Sequence, residues 1–142
     1  MFTLGKQERL KSRKLIDRLF REGKNFSVFP YRVYYVCGEQ VFKDPGTDFP
    51  VAFGVGVGTR HFKKAVDRNR IKRLGRESYR LQKLPLYEAL RQRNLQMAVF
   101  FLFTARELPA YGQIYEKIGV ILERLVRELP QSNPGHTTSP VS

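Results

Sequence analysis

The chain is poor in the residues that build disulfides, redox centres and most metal sites. Its 142 residues include one cysteine, two histidines and no tryptophan. Cys37 stands alone in an apolar, strand-like run, so we expect a buried structural thiol in a protein of the reducing cytoplasm. Neither His61 nor His136 has an acidic or cysteine neighbour in sequence, and no metal-ligand spacing, phosphate loop or nucleophile elbow is present. We therefore expect no catalytic constellation and no cofactor bound by the protein alone.

Long hydrophobic runs are also missing. The longest uninterrupted apolar run, residues 97–103, has seven residues, whereas a helix needs roughly 20 to cross a bilayer. The first fourteen residues are polar and basic and contain no apolar region of the secretory type. The sequence therefore predicts a soluble cytoplasmic protein that does not bind a membrane.

Acidic residues are half as numerous as basic ones. The chain has 13 Asp+Glu against 26 Lys+Arg, a formal net charge of +13 and a pI near 10.2. The excess is concentrated: residues 60–83 contain ten basic and two acidic side chains, and thus supply eight of the thirteen net charges. A clustered positive charge of this size favours a polyanionic partner.

The basic segment is predicted to be a helix, residues 64–81, with two chemically different faces. Leu74, Ser78, Ile71 and Leu81 lie within roughly 80° of one another and should anchor the helix on a sheet. Like charges at i, i+4 destabilise a helix by a few tenths of a kcal/mol per pair, so a one-sign face is best explained by a phosphate backbone that neutralises it. That face spans roughly 140° and comprises Arg68, Asn69, Lys72, Arg73, Arg76 and Arg80.

A small mixed sheet covered by three main helices, an α+β fold, is predicted from the remaining pattern. Ser12 and Gly23 bracket a first helix. Strands are expected at residues 26–41, 49–57 and 95–103, one of them open to division into two shorter strands. A short helical turn at 86–93 and a long helix at 111–129 complete one domain over residues 1–129. Residues 130–142 lack apolar anchors and are expected to form a disordered tail.

Eighteen residues are Phe or Tyr. Those of the 95–103 strand are expected to be core. Phe20, Tyr31, Tyr34 and Tyr35 lie on the first helix and first strand, beside basic residues, where rings can either fill the core or stack on unpaired bases. The pattern leaves both roles open.

The basic segment resembles a known family. Ala65-Val66-Asp67-Arg68-Asn69-Arg70-Ile71-Lys72-Arg73, followed by Arg76-Glu77, is similar to the Arg-Asn-Arg signature of the protein subunit of bacterial ribonuclease P. Arg9-Leu10-Lys11-Ser12 and Phe20-Arg21-Glu22-Gly23-Lys24 resemble its first helix, and Phe53-Gly54-Val55-Gly56-Val57 resembles its glycine-containing strand. The resemblance spans about residues 8 to 128.

This resemblance implies an α+β sandwich with a left-handed βαβ crossover. It also implies a holoenzyme in which a catalytic RNA removes the 5′ leader of precursor tRNA by hydrolysis that requires Mg²⁺, with one protein per RNA. The protein would bind both RNAs. The implied contacts to the catalytic RNA are Arg60, Lys64, Arg68, Asn69, Arg70, Lys72, Arg73 and Arg76. The implied leader cleft, between the first helix and the sheet, is lined by Ile16, Phe20, Val33 and Tyr35; Tyr34 competes with Tyr35, which is favoured because it shares a face with Val33.

The sequence leaves two other functions open. A general RNA-binding or ribosome-associated protein would bind RNA in a salt-sensitive way, without preferring leader-bearing tRNA. A stand-alone nuclease would cleave RNA without an RNA subunit.

Overall fold

The computed structural model describes residues 9–10, 12–39, 41 and 49–130, so the predicted tail lies outside the described residues except for Pro130. In these ranges the chain forms four helices and four strands. In order they are α1 (Arg13–Glu22), β1 (Lys24–Val28), β2 (Tyr31–Gly38), β3 (Val51–Val57), α2 (Ala65–Gln82), α3 (Leu84–Gln92), β4 (Gln96–Phe103) and α4 (Tyr111–Arg127). The expected short turn at 86–93 is thus a helix of nine residues.

The strands make one mixed sheet in the order β1-β2-β4-β3. β1/β2 and β2/β4 are antiparallel, whereas β3 and β4 are parallel neighbours joined through α2 and α3. The predicted strand 26–41 is a hairpin of two strands that turns at Phe29–Pro30. Proline has no N–H to donate to a ladder, which explains the division.

α1 begins and ends where the sequence predicts. The Ser12 side chain accepts a hydrogen bond from the Leu15 N–H at 3.2 Å, and the Gly23 N–H donates to the Leu19 carbonyl at 3.0 Å. A Cβ at position 23 would lie 2.5 Å from that carbonyl oxygen. Only glycine therefore fits at the end of this helix without a shift of the backbone.

The sheet has a different core on each face. The larger core lies under α2, α3 and α4, and includes Tyr31, Val33 and Tyr35 of β2. The smaller one lies under α1, where Leu19, Val41 and Ala98 are buried and Tyr34 and Phe100 pack against them. Because side chains alternate along a strand, odd and even residues of β2 serve different cores.

The buried stripe of α2 differs from the prediction at one position. Ile71 and Ser78 are fully buried, but Leu81 is 47% exposed, and the deepest side chain at this end is Tyr79. The Tyr79 ring stacks on Phe53 at 3.9 Å and its hydroxyl donates to the Tyr87 hydroxyl at 2.9 Å. Tyr79 therefore joins α2 to both β3 and α3.

Gly75 is buried on the side of α2 that packs on the sheet. A Cβ at this position would be 3.2 Å from the Tyr31 hydroxyl and 3.4 Å from a Val55 methyl. The close neighbours of Gly75 on the sheet are therefore side chains.

No helix in the described ranges is both long and apolar enough to cross a membrane.

Candidate nucleic-acid interface

The loop between β3 and α2 is fixed by Arg68. One guanidinium nitrogen of Arg68 donates to the Phe62 and Lys63 carbonyls, both at 2.8 Å. Phe62 is buried, with its ring 6.0 Å from that of Phe103, while Arg60 and Lys64 on either side are exposed. Because a guanidinium has five N–H donors, Arg68 can hold this loop and still contact a phosphate.

α2 presents most of the predicted cations outward. Asn69, Arg70 and Arg73 are exposed, and Lys72 and Arg76 are partly exposed. Arg80 differs, because its guanidinium makes a two-pronged ion pair with Glu77 at 2.6 and 3.2 Å. We therefore omit Arg80 from the contact surface.

A cation from the N-terminal segment extends this surface to the sheet edge. Arg9 forms an isolated parallel bridge with Phe53, and the Leu10 N–H donates to the Phe53 carbonyl at 2.9 Å. Burial, and then the charge of Arg9, lower the pKa of Arg76. Two arginines that repel each other are stabilised by an anion between them. We name the basic surface Arg9, Arg60, Lys64, Arg68, Asn69, Arg70, Lys72, Arg73 and Arg76.

Three aromatic rings meet under α1. The Phe20 ring lies edge-on to Tyr34 at 4.6 Å and to Phe100 at 5.5 Å, and Phe20 is 45% exposed. Gly54 and Gly56 leave the space that the Phe100 ring occupies. We name Phe20, Tyr34 and Phe100 the ring cluster. It offers an aromatic platform at the sheet surface, of the kind on which unpaired bases stack.

Two predicted cleft residues lie on the wrong face. Val33 and Tyr35 are 0% and 5% exposed in the larger core, so neither can line a cleft beneath α1, and Tyr34 takes that place. The shared face of Val33 and Tyr35 was predicted correctly, but alternation alone does not say which helix covers which face. Ile16, one helical turn before Phe20, is partly buried.

Two polar side chains beside the ring cluster, those of Arg32 and Asn25, were not predicted from the sequence to belong to a site. Arg32 is exposed, lies 6.0 Å above the Tyr34 ring and donates to the Asn25 side chain at 3.2 Å. Their cross-strand proximity follows from the hairpin register, in which Asn25 pairs with Tyr34 and Ser27 with Arg32. The turn at Pro30 sets that register, and it is the sequence signal from which the proximity of these two side chains could have been predicted.

In the described ranges no three His, Cys, Asp or Glu side chains are grouped in a way that could hold a metal ion. The fold and its two surfaces, one cationic and one aromatic, define an RNA-binding α+β protein.

The particular family follows from comparison with known proteins. A family model described as ribonuclease P matches residues 4–126. Ribonuclease P protein components are 37% identical over 134 residues in Porphyromonas gingivalis strain W83, covering 92% of each chain, and 32% identical over 140 residues in Chlorobaculum tepidum, covering 94% of this chain and 90% of that one. The chain belongs to the ribonuclease P protein family.

Solved structures confirm the fold. The Staphylococcus aureus RNase P protein superposes with a TM-score of 0.63 at 18% identity, over 83% of this chain and 94% of that one. The Thermotoga maritima protein gives 0.60 at 24% identity, over 82% and 96%. The predicted α+β class is thus confirmed. Membership of the family confirms the role as a subunit of the endoribonuclease that removes 5′ leaders from precursor tRNA, in partnership with the ribonuclease P RNA.

Proposed function

We propose that the two surfaces divide the work of RNA binding. The basic surface binds the catalytic RNA, and the ring cluster binds the 5′ leader of the precursor tRNA. The observation that carries this proposal is that the exposed Phe20 ring lies on α1, on the opposite face of the sheet from α2, whose cations form most of the basic surface.

The basic surface suits a phosphate backbone. Arginine binds phosphate through two parallel hydrogen bonds, and each neutralised phosphate releases counterions, which makes binding salt-dependent. The ring cluster suits a leader, because every base has a π-face and stacking tolerates sequence variation. A subunit that serves many precursor tRNAs needs that tolerance.

The protein in this proposal binds and orients but performs no bond cleavage. The Mg²⁺ needed for hydrolysis would be held in the holoenzyme and not by the protein alone. Three glutamates that could attract a cation are instead paired with arginines: Glu22 with Arg18, Glu77 with Arg80 and Glu128 with Arg124. We also propose that the protein acts in the cytoplasm, one copy per RNA.

The test is reconstitution with the cognate ribonuclease P RNA at low magnesium. Wild-type protein should raise cleavage of precursor tRNA, and the holoenzyme should bind leader-bearing tRNA more tightly than mature tRNA. Phe20→Ala should reduce that preference about tenfold, because one stacking contact is worth roughly 1–3 kcal/mol. Tyr111→Ala, which removes a similarly exposed ring from α4 (42% against 45%), should keep it.

Each alternative function has its own outcome. Equal binding of leader-bearing and mature tRNA by the wild-type holoenzyme would favour a general RNA-binding protein. Cleavage by the highly purified protein without RNA would favour a stand-alone nuclease.

A further inference from the structure

A surface cavity of about 420 Å³ lies at the end of the sheet where the β1–β2 turn meets the loop after β4. Its walls include Phe29, Thr104, Arg106, Glu107, Leu108 and Gln113, and we name it the turn pocket. It lies away from α1, because Phe103, which also lines it, belongs to the larger core. It is therefore separate from the ring cluster.

The pocket has a fixed frame. The Thr104 N–H and hydroxyl both donate to the Pro30 carbonyl, at 2.8 and 3.1 Å. These bonds tie the β1–β2 turn to the end of β4, so the two walls of the pocket keep their separation. A preformed site loses little conformational entropy when a ligand enters.

Its side chains have the chemistry of base recognition. Phe29 is 65% exposed and Leu108 is 49% exposed, although large apolar side chains gain from leaving water. Arg106 and Glu107 are exposed and have no ion-pair partner among the residues that the structure describes. With the Gln113 amide they offer both donors and acceptors to a base edge, beside a ring on which a base can stack.

The pocket lies at the same end of the sheet as the start of α2, because Val57, the last residue of β3, pairs with Phe103. Phe103 lines the pocket, and its ring is also 6.0 Å from that of Phe62, whose carbonyl is bonded to Arg68. RNA bound along the start of α2 is therefore near this end of the sheet. The volume falls within the roughly 300–1,000 Å³ of ordinary ligand sites, which is enough for one base.

We infer that the turn pocket receives one unpaired nucleobase of the catalytic RNA, stacked on Phe29. The proposal rests on the assignment of the basic surface to that RNA. Stacking on Phe29 carries no charge, so this contact contributes affinity without adding to the salt dependence.

The test compares Phe29→Leu with Phe20→Leu, the same substitution at the ring cluster. Phe29→Leu keeps an apolar side chain and removes the aromatic face. It should weaken binding of the cognate ribonuclease P RNA about tenfold while the slope of affinity against salt stays unchanged. Phe20→Leu should instead weaken binding of leader-bearing tRNA by the holoenzyme. Leu84→Ala, at an exposed site in the first turn of α3 (45%), should change neither.

A photo-crosslinking residue placed at position 29 identifies the source of the base. The proposal requires a crosslink to an unpaired nucleotide of the catalytic RNA in the assembled holoenzyme. A crosslink to the precursor tRNA, or wild-type affinity of the Phe29→Leu protein for the catalytic RNA, overturns it. If Phe20→Leu leaves leader binding intact while Phe29→Leu behaves as expected, the leader assignment fails and the turn pocket stands.

Discussion

The ring of Phe100 lies directly against the backbone of Gly56, so closely that a Cβ on Gly56 would come within 2.6 Å of the ring carbon Cζ. Gly54 makes a similar approach, at 2.9 Å. The alternating glycines of β3 therefore make room for an aromatic side chain of the neighbouring strand. That ring in turn contacts Phe20.

Gly56→Ala is expected to displace the Phe100 ring and disorganise the ring cluster. Overpacking of this kind costs about 1–3 kcal/mol of unfolding free energy, and the holoenzyme should lose part of its preference for leader-bearing tRNA. Gly58→Ala is the matched control, because nothing lies within 4 Å of a Cβ there. Equal stability and tRNA preference in the two variants would show that Gly56 is not needed for the ring position.

Tyr34→Ala is expected to reduce leader binding, whereas Tyr35→Ala is expected to reduce the stability of the fold. Tyr34 belongs to the ring cluster, so its loss should reduce leader binding with a small change in stability. Tyr35 is 5% exposed in the larger core, where deletion of a large ring costs about 3–5 kcal/mol. Urea denaturation and tRNA binding together separate the two. Loss of leader preference in a stable Tyr35→Ala protein would contradict the face assignment.

The tyrosine pair also shows the limit of sequence reasoning here. The ends of α1, the strand pattern of β3 and the basic character of α2 were predicted, because each depends on local spacing, a capping residue or charge. The sequence did not predict which side chains of β2 face α1, because that depends on how α1 and α4 pack on opposite sides of the sheet. Tyr79 was missed for the same reason: its place follows from Phe53 and Tyr87, which are distant in sequence.

Arg68→Ala and Arg73→Ala are expected to separate structural from electrostatic roles. Both should weaken binding to the catalytic RNA and reduce the salt slope by about one unit per lost phosphate contact. Only Arg68→Ala should also lower the unfolding free energy, by about 1 kcal/mol, because it leaves the Phe62 and Lys63 carbonyls without their donor. Thermal denaturation of the free proteins measures that difference, and equal melting temperatures would argue against the loop-holding role.

Tyr31→Phe is expected to stabilise the protein and to change its response to alkaline pH. The Tyr31 hydroxyl is buried against Gly75 and has no hydrogen-bond partner among the described residues. A buried unsatisfied hydroxyl costs about 1–3 kcal/mol, so its removal should raise the unfolding free energy by about 1 kcal/mol. Burial also raises the pKa of Tyr31 above its usual value near 10.

The sign of the pH effect follows from that shift. The folded state keeps the neutral phenol while the unfolded chain ionises as the pH rises through about 10, so proton binding favours the folded state. The wild-type protein should therefore lose stability above that pH, and Tyr31→Phe should lose less. Urea titrations between pH 8 and 11 measure both effects. A Tyr31→Phe protein that is less stable than wild type at neutral pH would indicate that the hydroxyl does have a partner, and would remove the basis for the predicted gain.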